Sequence, residues 1–138
     1  MGRILAIDYG EKRIGIAQTD PLNMFAQPLT TVFSNQFETW LKSYLLNDTI
    51  SAFIVGMPKR LSGEDTHSTQ RVRDFIQWLQ QQHPDIPVHT IDERYSSKEA
   101  QHQIIQMGKT KLQRRDKGLI DTVAATLILQ TYLQQLTP

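Results

Sequence analysis

The chain has 138 residues and no cysteine, and 39% of it is hydrophobic and 21% charged. That is the make-up of one globular domain, and it excludes disulfides, thiolate metal sites and cysteine nucleophiles. A net charge of +1 announces no general affinity for nucleic acid, so any such site must come from local clustering. No apolar run approaches the ~20 residues that span a bilayer. The first such run is too short for a signal peptide and ends at Asp8, so the expected address is the cytoplasm, with no membrane partner.

Residues 4–7, Ile-Leu-Ala-Ile, read as a strand buried on both faces. Asp8 stands where the apolar run stops. A carboxylate at the end of a central strand is costly to bury alone, so it needs a cation, a metal or several donors. Gly10 permits a tight reversal, and residues 13–17 return as the second strand of an antiparallel hairpin. The plain account of this hairpin pairs Asp8 with Lys12 or Arg13. Residues 19–23 read as a turn, and residues 27–33 as an edge strand with Pro28 near its start. Ser34 or Asn35 is placed to cap a helix carrying Phe37, Trp40, Leu41, Tyr44 and Leu45 at helical spacing.

Residues 51–57 form the next buried strand, and Pro58 stops it. A polar loop over 59–65 carries Lys59 and Arg60. The helix after it bears Val72, Phe75, Ile76 and Leu79 on one face, and residues 86–92 read as a further strand. Ser96 or Ser97 opens a helix with Ala100, Ile104, Ile105 and Met107, which Gly108 ends. Residues 109–117 hold five basic residues against one acid, Asp116. This stretch is either a phosphate-contacting loop or a solvated one. The last helix runs from about residue 118 to 136, with Ile120, Val123, Ala124, Leu127, Ile128 and Leu133 as its apolar positions.

Strands joined tightly are antiparallel, and strands separated by helices are parallel with right-handed crossovers. The expectation is therefore an α/β fold: a mixed five-stranded sheet with helices on both faces. Ligands of such sheets sit at the carboxyl ends of the parallel strands. Asp8 and Glu93 both stand at such ends, so they should meet. Asp121, early in the last helix on a mostly apolar stretch, is either a first-turn dipole partner or an acid turned into the site. Three converging carboxylates need positive charge between them. With no cysteine and no paired-histidine motif, hard oxygen ligands favour Mg²⁺ or Mn²⁺. Two such ions about 4 Å apart activate water and stabilise the leaving oxygen of a phosphodiester. Asp92 should lie on the opposite face from Glu93 and be structural or a partner of Arg94. Asp65 or Thr66 reads as a cap, Glu99 and His102 as surface, and Trp40 and Trp78 as core or interface. The histidines at 67, 83 and 89 lack partners at ligand spacing.

Four stretches occur in order: Ala6-Ile7-Asp8-Tyr9-Gly10-Glu11-Lys12-Arg13-Ile14-Gly15, Ile54-Val55-Gly56-Met57-Pro58, Asp92-Glu93-Arg94-Tyr95-Ser96-Ser97-Lys98-Glu99-Ala100 and Lys117-Gly118-Leu119-Ile120-Asp121-Thr122-Val123-Ala124-Ala125. Together they resemble the bacterial YqgF family, also called RuvX-like, over nearly the whole chain. Met57 stands where that family commonly has Leu, and Ser96-Ser97 where it has Thr. The resemblance implies a ribonuclease H-like fold and a metal-dependent nuclease that processes the 5′ end of pre-16S rRNA. It places the metal-binding, catalytic acids at Asp8, Glu93 and Asp121. Lys12, Arg13, Lys59, Arg60, Arg94 and Lys117 are the basic groups available to hold the nucleic-acid backbone. The competing expectations are a Holliday junction resolvase acting on branched DNA as a dimer, an actin-like ATPase lobe, and a nonenzymatic RNA-binding factor. The oligomeric state is left open between monomer and homodimer.

Overall fold

Each strand of the sheet carries two different faces, and the side-chain alternation explains why the helices divide between them. The computed structural model describes residues 2–58, 67–92 and 117–136. The polar loop with Lys59 and Arg60, the residues Glu93 and Arg94, the helix expected after Ser96, and residues 109–116 lie outside these.

Five strands form one sheet: β1 (Arg3–Tyr9), β2 (Arg13–Thr19), β3 (Ala26–Phe33), β4 (Ile50–Met57) and β5 (Val88–Asp92). Their order is β3-β2-β1-β4-β5. The pairs β1/β2 and β2/β3 are antiparallel, while β1/β4 and β4/β5 are parallel. The mixed sheet and the edge position of β3 are as expected. The described helices are α1 (Phe37–Asn47), α2 (His67–Gln82) and α3 (Lys117–Leu136). None of the described helices is long and apolar enough to cross a membrane.

On one face, Leu5, Ile7, Ile14, Ile16, Phe53 and Val55 pack with Phe37 and Leu41 of α1 and with Val72, Phe75 and Leu79 of α2. On the other, Ile4, Ala6, Ala17, Ala52, Ile54 and Ile91 pack with Ala125, Ile128 and Leu129 of α3. Successive residues of one strand thus serve opposite layers, as the period of two requires. The α3 face is rich in alanine, so this helix can lie close to the sheet. Full burial of each larger apolar side chain is worth about 1.5–3 kcal/mol. Trp40 and Trp78 pack against the α1/α2 layer. His89 stacks on Tyr132 at 5.6 Å and His83 lies 6.1 Å from Phe53, ring to ring.

Neither Ser34 nor Asn35 caps α1. They belong to a 3₁₀ turn (Ser34–Gln36), and Gln36 precedes the helix without a side-chain cap. Ser34 is engaged elsewhere. Its hydroxyl donates to the Gly10 carbonyl at 2.7 Å and its amide to the Lys12 carbonyl at 2.9 Å. These bonds tie the end of β3 to the β1–β2 turn, directly beside Asp8 in the chain.

Candidate active site

Asp8 is the next-to-last residue of β1 and is partly buried. Alternation along the strand places it on the α3 face, in line with Ile4 and Ala6. Its partner across the ladder is Gly15 of β2. At that point α3 crosses the sheet. A Cβ added to Gly15 would stand 2.1 Å from the backbone oxygen of Asp121, 2.4 Å from its carbonyl carbon and 3.0 Å from its Cβ. Gly15 is therefore the ladder partner of one acid and the packing partner of the other. Through it, residues from opposite ends of the sequence come to one place.

Asp121 is the fifth residue of α3, and the first turn of that helix holds no acid. The dipole role is thereby set aside, and Asp121 is the acid turned to the sheet. Arg13 lies on the same face, two residues before Gly15. Its Nε donates to Asp121 Oδ2 at 3.2 Å, and the two side chains are 32% and 24% exposed. This corrects the plain account of the hairpin in one respect: the acid bonded to Arg13 is Asp121. One residue along the helix, the hydroxyls of Thr122 and Thr31 are 2.5 Å apart, which fixes α3 against β3.

The third expected acid, Glu93, lies outside the described residues. Its neighbour Asp92 ends β5 opposite Met57 of β4. Ile91 packs with the α3 layer and Val88 with the α1/α2 layer, so Asp92 falls on the α1/α2 side, as expected for a residue outside the site. The carboxyl ends of β1, β4 and β5 share one edge of the sheet because all three run parallel.

Of the expected backbone-holding groups, Lys59, Arg60 and Arg94 lie outside the described residues, and Lys117 opens α3. Lys12 is exposed in the β1–β2 turn. Its neighbour Glu11 meets Arg71 of α2 at 3.1 Å. Among the described residues no group of three or more acids or histidines gathers around a common point. The two acids that do converge are oxygen donors with a guanidinium already beside one of them. A donor set that draws in a cation in this way suits a hard divalent ion. Sequence reasoning missed Gly15. The available signal was a glycine inside a strand pattern, which marks a close backbone approach.

The family profile described as "RuvX: Holliday junction resolvase" matches residues 2–135. A protein of Porphyromonas gingivalis named "Putative pre-16S rRNA nuclease" is 44% identical over 133 residues, covering 96% of each chain. A protein of Christiangramia forsetii with the same name is 41% identical over 135 residues, covering 98% of this chain and 100% of that one. Among solved structures, T. thermophilus RuvC in complex with Holliday junction substrate matches with a TM-score of 0.60 at 16% identity, over 99% of this chain and 98% of that one. The fold is ribonuclease H-like.

Proposed function

The chain belongs to the RuvX family of nucleases, and from that membership we propose that it hydrolyses RNA phosphodiester bonds at the 5′ end of precursor 16S rRNA. The observation that supports a catalytic centre is the meeting of Asp8 and Asp121 on either side of Gly15. Glu93, the next residue in the chain after β5, is the third acid of this reading, and the three would hold Mg²⁺ or Mn²⁺. When bound, the ions supply an activated water and neutralise the charge on the departing oxygen.

The protein's own part is positioning. Asp8 is fixed by the ladders of β1, which runs between β2 and β4. Asp121 is fixed by backbone contact at Gly15 and by the Thr31–Thr122 bond beside it. In this reading Lys12, Arg13, Lys59, Arg60, Arg94 and Lys117 are the basic groups that contact backbone phosphates. Such contacts set orientation and carry no sequence information.

The test is cleavage of a precursor rRNA 5′ leader by wild type and Asp8→Asn, with Mg²⁺, with Mn²⁺ and with EDTA. Cutting that needs both the ion and Asp8 supports the reading. If both proteins bind the leader and neither cuts it, a nonenzymatic RNA-binding role takes its place. A four-way DNA junction run alongside separates the resolvase activity. Paired cuts in the junction with the leader intact would assign the acids to branched DNA.

A further inference from the structure

We infer that Arg13 changes partners during the working cycle: it neutralises Asp121 in the metal-free chain, cedes that carboxylate to a divalent ion on loading, and then engages a substrate phosphate. The inference rests on the reading of Asp8 and Asp121 as metal ligands.

Asp8 and Asp121 both stand at Gly15, and carboxylates brought to one place disfavour each other's charge. Arg13 sets one positive charge beside Asp121, through a contact built to release. Nε alone makes it, to a single carboxylate oxygen at 3.2 Å. Nη1 and Nη2 donate to none of the described residues. A fixed arginine–carboxylate pair uses two parallel bonds. At 32% and 24% side-chain exposure, a single-point contact is weakly held and screened by solvent. A doubly charged ion shared between carboxylates displaces it.

The freed guanidinium is not stranded in a dry interior. Arg13 is the first residue of β2, directly after the turn that holds Glu11 and Lys12, at the carboxyl edge of the sheet. Its planar fork of donors matches a phosphate bidentately, which an ammonium cannot do. One residue thereby stabilises the acids before loading and the substrate after it. A lysine at this position would retain only the first role.

The experiment is a Mn²⁺ titration of the full chain without RNA, followed by the electron paramagnetic resonance signal of the free ion. Wild type, Arg13→Gln, Arg13→Lys and Asp8→Asn are compared. The expected result is Mn²⁺ binding by Arg13→Gln on the order of two- to fivefold tighter than wild type. That is the fold-change from losing an exposed competing ion pair of up to about 1 kcal/mol. Arg13→Lys keeps the charge and should match wild type for Mn²⁺. In Ca²⁺, both arginine variants should bind the leader RNA more weakly, and Arg13→Gln should lose about 0.7 from the salt slope, the share of one phosphate contact on a single strand. Unchanged or weaker Mn²⁺ binding by Arg13→Gln overturns the inference, because Arg13 then only holds Asp121 in place. Wild-type RNA affinity in Arg13→Lys overturns it too, a result that stands even if Arg13→Gln fails to fold. If wild type takes up no Mn²⁺, or Asp8→Asn takes it up equally, the ligand reading falls and the inference with it. Uptake that needs Asp8 but ignores Arg13 overturns the inference alone.

Discussion

Gly15 sets how close α3 comes to Asp8. The atom nearest an added Cβ is the carbonyl oxygen of Asp121, at 2.1 Å. It belongs to a helix backbone and cannot swing aside as a side-chain tip would. Gly15→Ala must therefore push α3 off β2 or distort the strand. We expect a loss of about 1–3 kcal/mol in denaturant melts, the usual cost of overpacking, together with a loss of metal-dependent cleavage, because the same shift moves Asp121 away from Asp8. A variant that melts like wild type would mean that α3 sits less tightly on the sheet than described. Asp8→Asn is the contrasting change: it adds no volume and should lose cleavage without losing the fold. At this scale the sequence singles out candidate acids and hides their arrangement. Asp8 is legible because a charge interrupts an apolar strand. The bond from Arg13 to Asp121 joins residues 108 apart in the chain, and no local pattern encodes it.

Among the elements, the β2–β3 connection shows how a surface carboxylate organises a turn. Asp20 Oδ1 accepts from the amides of Phe25 at 2.6 Å and Met24 at 2.8 Å, and Oδ2 from Leu22 at 3.2 Å. These bonds, the one from Phe25 foremost, hold its carboxyl below the usual 3.8. A lowered pKa stabilises the fold above the unfolded value, and that contribution is lost as pH falls through the folded value. Asp20→Ala should therefore be less stable than wild type near neutral pH, and the gap should close in acid below pH 3.8. Amide exchange at Leu22, Met24 and Phe25 should quicken in the variant. A stability gap that persists unchanged at low pH would assign the effect to packing and not to charge. The strands and the described helices were legible from alternation, from helical spacing and from Pro58. The missing cap on α1 was not, because Ser34 bonds to Gly10, a residue brought near only when the hairpin and β3 assemble.

Across the whole molecule, the order of elements decides which edge of the sheet a ligand site would use. Parallel strands put their carboxyl ends on one edge, and Asp8, next to last in β1, stands there. Charge tells a second story at this scale. A net charge of +1 gives little long-range steering, so RNA affinity must come from a few local groups. The densest cluster by sequence is 109–117, with Lys109, Lys111, Arg114, Arg115 and Lys117, running into the first residue of the helix that carries Asp121. Replacing Lys109, Lys111, Arg114 and Arg115 by glutamine separates the two accounts of this stretch. If it contacts the strand, affinity for the leader falls at every salt concentration. The plot of log affinity against log salt flattens by about 0.7 for each phosphate contact removed. Mn²⁺ uptake should change little, since salt screens the effect of charges that do not touch the carboxylates. An unaltered salt slope would make the cluster a solvated surface and leave Lys12, Arg13 and the groups around the sheet edge as the whole of the phosphate grip.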